Sequence, residues 1–143
     1  MPFQRRSLFL AALLGGCLLA GHAPAFAERS ERFSGTFYGE HGTAAKPTGT
    51  IDALFYPAAH VLRYSMTWNK LSGPVTVAHF HGPARKGHDA PPVVLITGPY
   101  QSPLTGSVSL DQDQEDMLHN GTLYVNLHTS AHPNGEARAQ LAP

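Results

Sequence analysis

Hydrophobic and polar residues alternate in short segments along most of the chain, and turn residues separate these segments. The clearest example is residues 61–68, where Leu62, Tyr64, Met66 and Trp68 share one face and mostly polar residues occupy the other. A period of two residues is typical of a β-strand with one buried face. The pattern therefore predicts strands at 32–38, 49–56, 61–68, 75–81, 93–96, 104–108, 123–127 and 136–141.

One segment, residues 111–119, has helical signals instead. Asp111 can cap the helix, Gln114 stands three residues later as in a capping box, and Asn120 and Gly121 supply the end. Seven or eight short strands with one brief helix indicate the all-β class. We predict an antiparallel Greek-key β-sandwich.

The first 27 residues have the three parts of a secretory signal peptide. Arg5 and Arg6 are positive, residues 8–20 are apolar, and Ala25 to Ala27 form a small-residue cleavage site. We therefore expect a mature domain of residues 28–143 that is periplasmic or secreted and has no membrane span after cleavage. Sec export and twin-arginine export both remain open, and a lipid anchor on Cys17 is the less favoured alternative.

Composition narrows the classes of function. Outside residues 1–27, eight basic residues face ten acidic ones, a formal charge of −2, so nucleic acid is not an expected partner. Cys17 is the single cysteine, so the mature domain has no disulfide. Any metal site in it must use histidine, methionine or carboxylate ligands. The absence of a Gly-x-Ser-x-Gly elbow and of a phosphate loop argues against a hydrolase or a nucleotide enzyme.

Two histidine motifs carry the candidate chemistry. His79 and His81 alternate on one strand, and we expect them to continue an inward face formed by Val75 and Val77. Two imidazoles on one face are half of a metal site, and His128 and His132 could complete it. The alternative is that the histidines form hydrogen bonds that brace loops. The sequence leaves both interpretations open.

Other residues are weaker candidates. Met66 is expected to pack in the core, although a thioether could serve as an axial copper ligand, and His60 is a further weak ligand candidate. Glu136 and Arg138 share a strand face, which predicts an exposed ion pair of little energetic value. Alternatively Glu136, like Asn126, could accept a hydrogen bond that orients a histidine. We expect the remaining histidines to be structural or solvated: His41, His88 and His119.

A series of sequence blocks resembles the CHRD domain, the module first described in chordin. The blocks are 71–74, 78–84, 91–94, 104–107, 121–129 and 132–141, so the resemblance covers nearly all of the chain from Phe33. It departs from the family in the loop that contains His41, and at Ala137 and Ala139. The resemblance implies a β-sandwich and export, but the family has no general activity to transfer. The His-x-His strand is also locally similar to the copper strand of copper,zinc superoxide dismutase.

Three hypotheses follow. The first is an exported metal-binding protein that holds copper, or alternatively zinc, for binding, storage, delivery or electron transfer. The second is a non-metal structural or interaction module with a periplasmic protein partner or a second copy of the chain. The third is a copper-dependent redox enzyme similar to superoxide dismutase. We favour the first, in which the protein is not an enzyme.

Overall fold

Two antiparallel sheets form the fold. The computed structural model describes residues 28–143, so the predicted signal peptide lies outside the described residues. The strands are β1 (Glu31–Thr36), β2 (Tyr38–Gly39), β3 (Thr48–Tyr56), β4 (Val61–Asn69), β5 (Val75–His81), β6 (Pro92–Ile96), β7 (Leu104–Ser109), β8 (Tyr124–Thr129) and β9 (His132–Gln140), with helix α1 (Gln112–His119) before β8. One sheet has the order β1-β3-β4-β7 and the other β2-β9-β8-β5-β6.

The predicted antiparallel Greek-key sandwich is confirmed. The described residues form nine strands rather than seven or eight, because Tyr38 and Gly39 leave the first sheet and pair with β9. Helix α1 begins after the N-cap Asp111, and the capping box with Gln114 is present. Among the described residues no helix is long and apolar enough to cross a membrane.

The core lies between the inner faces of the two sheets. The predicted β4 face is confirmed, because Leu62, Tyr64, Met66 and Trp68 are all buried. The five-stranded sheet contributes alternate residues from three strands to the same core: Ala78, Phe80, Val125, Leu127, Ala137 and Ala139. The small side chains of β9 place its backbone close to the opposite sheet. Fold and core thus follow from the alternation of residues.

The predicted direction of His79 and His81 is wrong. Ala78 and Phe80 are fully buried in the core, so the two histidines lie on the outer face of the five-stranded sheet. The physical reason is a bulge in the pairing of β5 with β8, where the register shifts between Val75 and Val77. One extra residue reverses which side chains face inward, so Val75 joins the core while later odd-numbered residues face outward.

The second histidine motif is also arranged differently from the prediction. The last strand was predicted at 136–141, but β9 already begins at His132, and the hairpin turn is Ser130-Ala131. Gly135 has φ 110, and its missing Cβ leaves space that the amide of Asn126 fills. A side chain on residue 135 would collide with that amide. The glycine therefore marks close packing on the outer face rather than the turn itself.

Loops cover the outer face of the five-stranded sheet. Residues 40–47 and 82–91 pack over it, so that every residue of β8 is buried, including the outward-facing Tyr124, Asn126 and His128. Strands buried on both faces lose the simple alternation of exposed and buried positions. The outer layer of this sheet is therefore a second, polar interior.

The predicted exposed ion pair of Glu136 and Arg138 is wrong, because both residues are fully buried in that layer. They are not partners of each other. The carboxylate of Glu136 accepts hydrogen bonds from Ser72, Thr129 and Thr43. Burial by itself would raise the pKa of Glu136, but these hydrogen bonds outweigh it and hold the pKa below its ordinary value. Glu136 thus ties β9 to β8 and to two loops.

The substitution Glu136→Gln tests this role. At pH 7 we expect it to lower the free energy of unfolding by about 1.5–3 kcal/mol, because buried donors lose a charged acceptor. Folding lowers the pKa of this carboxyl, so its contribution is complete above the ordinary value of 4.5 and is lost as pH falls through the folded-state pKa. The difference between wild type and variant should therefore shrink at acid pH in urea unfolding experiments.

The matched control is Asp52→Asn. Asp52 pairs with Arg32 at the surface, where both side chains are more than half exposed. We expect the free energy of unfolding to change by no more than about 0.5 kcal/mol. If the two substitutions had equal effects, Glu136 would not have the structural role assigned to it.

Candidate metal centre

Three of the four predicted ligands meet on the outer face of the five-stranded sheet. His79 and His81 project from β5, and His128 projects from the neighbouring β8, where it pairs with Val77. One possible ligand atom from each imidazole lies within 4.8 Å of the others. The ring centroids are 5.3–5.8 Å apart. Strand pairing therefore joins the two histidine motifs.

Backbone carbonyls fix which nitrogen carries the proton in two of these rings. Nδ1 of His81 donates to the carbonyl of Ala90 over 2.8 Å, and Nδ1 of His128 donates to the carbonyl of Pro133 over 2.9 Å. A carbonyl oxygen only accepts, so in the neutral rings each Nε2 keeps its lone pair. Nε2 of His81 is buried and has no hydrogen-bond partner. Metal-binding histidines characteristically donate their other N–H in this way.

The distance between the facing ring nitrogens of His79 and His128 fits two ligands of one metal ion better than it fits a hydrogen bond. Nδ1 of His79 and Nε2 of His128 are 3.5 Å apart. Hydrogen bonds between such atoms are about 2.7–3.2 Å long. Two nitrogens bound tetrahedrally at roughly 2.0–2.1 Å from one ion lie roughly 3.3–3.5 Å apart. The two rings are thus spaced as ligands of one ion would be.

Burial favours the neutral forms of His79 and His81. Burial lowers the pKa of His79, and the neighbouring His128 lowers it further. Burial also lowers the pKa of His81 more than the bond to Ala90 raises it, and the charges of His128, His79 and Arg138 act in the same direction as burial. Protons therefore compete less well for the ring nitrogens of His79 and His81 than for those of a solvated imidazole.

A stack of planar groups supports the centre from one side. The guanidinium of Arg138 lies 3.4 Å from the ring centroid of Tyr124. Tyr124 stacks on His81 at 5.2 Å, and His81 stacks on His128 at 5.8 Å. The hydroxyl of Tyr124 also bonds to both backbone groups of Ala90, the residue whose carbonyl holds His81. The imidazoles therefore sit in a rigid frame.

A cleft of roughly 250 Å³ opens beside the centre. It is lined by His41, His81, Asp89, Ala90, Tyr124, Asn126 and Asn134. In the described part of the chain three buried side-chain polar atoms lack a hydrogen-bond partner: Tyr38 Oη, His81 Nε2 and Asn126 Oδ1. All three side chains belong to the outer layer of this sheet. Unsatisfied buried groups are costly, so their concentration in one layer marks a functional region.

The structure does not bring the other predicted ligands to the three imidazoles. His132 pairs with Thr129 at the start of β9 and is not part of the cluster. Met66 is buried in the core between the sheets, and the imidazoles lie on the far side of one sheet. His60 contacts Glu115 of α1, with 2.5 Å between Nδ1 and Oε1.

The residues that orient the imidazoles also differ from those suggested by the sequence. Asn126 donates to Glu40 instead of a histidine, and Glu136 has its hydroxyl and backbone partners. The carbonyls of Ala90 and Pro133 take that role. Sequence reasoning missed them because every residue has a carbonyl, and residue type carries no signal for this contact.

The tautomers of His81 and His128 are directly measurable. We expect both rings to be protonated at Nδ1 and unprotonated at Nε2 at neutral pH, because carbonyls accept from Nδ1. Long-range ¹H–¹⁵N NMR of the metal-free protein distinguishes the two tautomers. The exposed His88 is the control and should show the mixture typical of a solvated ring. Protonation of His81 at Nε2 would contradict the assignment.

A comparison with known protein families agrees with the resemblance seen in the blocks of sequence. The CHRD domain model matches residues 33–141, most of the chain. The matched segment contains the three imidazoles, both covering loops and the buried Arg138. No curated protein and no solved structure matches the chain. The chain belongs to the CHRD domain family.

Proposed function

We propose that this protein is an exported metal-binding protein that holds one copper ion through His79, His81 and His128. The observation that carries the proposal is the convergence of three imidazoles, two of which donate Nδ1–H to carbonyls and so keep the lone pair of the neutral ring on Nε2. Structural bracing and metal binding are compatible, because each ring uses a different nitrogen for each role.

Copper is favoured over zinc by the donor set. Three neutral imidazoles suit both metals, and copper stands above zinc in the order of divalent affinities. A site without thiolates is expected in residues 28–143, which contain no cysteine. The features of a signal peptide support export, to a compartment where an all-imidazole site competes for copper without cytoplasmic thiols. Zinc is the alternative metal.

The fourth coordination position is open in this proposal. His79 is only partly buried, and His81 lines a cleft that opens beside the cluster. An open position suits transfer of the ion to or from a partner, and it also admits a small molecule. Binding, storage and delivery of copper are the roles that this arrangement supports best.

Copper titration of the metal-free protein tests the proposal. We expect one equivalent to bind, and His81→Ala or His128→Ala should weaken the binding at least 100-fold, because each removes a ligand from a three-ligand site. Isothermal titration calorimetry gives the affinity, and electron paramagnetic resonance reports nitrogen coordination of Cu²⁺.

His132→Ala and His60→Ala are the matched controls. Both remove a histidine predicted from sequence that lies outside the cluster, so each should leave the affinity within about threefold. A large loss of copper affinity in His132→Ala would instead support the four-ligand site predicted from the sequence. Stoichiometric copper binding by a variant without His79 and His81 would refute the proposal, and no binding by wild type would favour the structural module.

A copper-dependent redox enzyme is the second candidate, and the cleft beside the open position is the observation that favours it. Stopped-flow measurement of superoxide consumption decides between the two. Under the first proposal the copper-loaded protein should be no faster than the same concentration of a copper–peptide complex. Rapid turnover that is lost in His81→Ala would establish the enzyme instead.

A further inference from the structure

A second group of metal-binding side chains lies at the same cleft. Glu40 and His41 follow β2, and Asp89 lies in the loop 82–91. One ligand atom from each is within 4.8 Å of the others. His41 and Asp89 line the cleft together with His81 of the first cluster. The two loops that cover the sheet thus bring two acidic side chains and an imidazole together.

His41 is held in the same way as the imidazoles of the first cluster. Its Nδ1 donates to the carbonyl of Gly135 over 2.9 Å, which leaves Nε2 directed at Asp89. Nε2 and Oδ2 of Asp89 are 3.3 Å apart. Charge-assisted hydrogen bonds are shorter, about 2.7–2.9 Å. Tetrahedral ligands of one ion are roughly 3.3–3.5 Å apart.

Glu40 is the buried member of the group. Its side chain is 9% exposed, whereas Asp89 is 71% exposed and His41 is 32% exposed. The carboxylate accepts hydrogen bonds from Arg138 and from Nδ2 of Asn126. These contacts hold Glu40 in place and leave further lone pairs on its oxygens, since each oxygen can accept more than one bond.

An independent observation points to a ligand at this cleft. Asn126 is 2% exposed and lines the cleft, and its Oδ1 has no hydrogen-bond partner. The bond from Nδ2 to Glu40 fixes the amide orientation, so Oδ1 is an acceptor without a donor. Nε2 of His81 is a second such acceptor in the same lining. Unsatisfied acceptors beside two carboxylates favour a cation over an anion.

We propose that Glu40, His41 and Asp89 bind a second divalent cation, of the zinc class, beside the cleft that His41 and Asp89 line together with His81. One imidazole and two carboxylates form a harder and more negative donor set than three imidazoles, so the two sites favour different metals. The guanidinium of Arg138, which donates to Glu40, offsets part of the negative charge of the two carboxylates. The proposal does not depend on copper at the first cluster.

Zinc titration of the EDTA-stripped protein, followed by calorimetry and by metal analysis after gel filtration, tests the second site. Zinc alone can occupy both clusters, so wild type should bind two equivalents. Asp89→Asn and His41→Ala should each reduce this to one, or weaken the second binding at least tenfold. His88→Ala, which removes an exposed histidine of the same loop, should still bind two.

The converse variant separates the two sites. A protein with His79→Ala, His81→Ala and His128→Ala should keep one equivalent of zinc while it loses the electron paramagnetic resonance signal of copper bound by three imidazoles. Its circular dichroism must show the sheet, and if it does not fold, the single variants above decide. Unchanged zinc stoichiometry in Asp89→Asn would overturn the proposal and leave His41 and Asp89 as a metal-free ion pair.

Discussion

The buried guanidinium of Arg138 is the interaction on which the outer layer depends. It donates to the side chains of Glu40 and Gln140 and to three carbonyls of the loop 82–91, those of Ala84, Arg85 and His88. A fully buried charge is tolerated only when its donors are satisfied. The same contacts that satisfy the charge hold both covering loops on the sheet, and those loops carry the carbonyl that fixes His81 and the side chains of the second cluster.

Under the proposed function, structural bracing and ligand presentation use the same imidazoles. The bond from Nδ1 of His81 to Ala90 ties the loop to β5, and it also determines that Nε2 carries the lone pair. Likewise, the bond from Nδ1 of His128 to the carbonyl of Pro133 braces the β8–β9 hairpin and leaves the lone pair of the neutral ring on Nε2. A histidine that only braced a loop would have no reason to leave its second nitrogen buried and unpartnered, because that arrangement costs free energy.

The inner layer was predictable from sequence and much of the outer layer was not. The alternation of Leu62, Tyr64, Met66 and Trp68 identifies a one-sided strand, and the capping signals identify α1. The direction of His79 and His81 depends on a bulge, after which Ala78 and Phe80 replace the odd-numbered residues on the core face. The prediction extended the alternation of Val75 and Val77 through the bulge. The burial of Glu136 and Arg138 depends on distant loops, so local pattern alone assigns these residues to a solvated face. The pairing of β5 with β8, which brings His128 to His79, is likewise a long-range result.

The position of the clusters outside the core has a physical advantage. A hydrophobic core gains stability from close packing and has no donor atoms to bind an ion. A polar layer covered by loops shields the lone pairs of its side chains from bulk water and leaves them accessible to an ion. His81 of the first cluster and the His41 and Asp89 side chains of the second line the same cleft, so imidazole-rich and carboxylate-bearing groups lie a short distance apart. Arg138 lies beneath both, stacked on Tyr124 beside the imidazoles and bonded to Glu40 beside the carboxylates. Loss of this one cation would release both loops and disrupt both donor sets, while the apolar core between the sheets would keep its contacts.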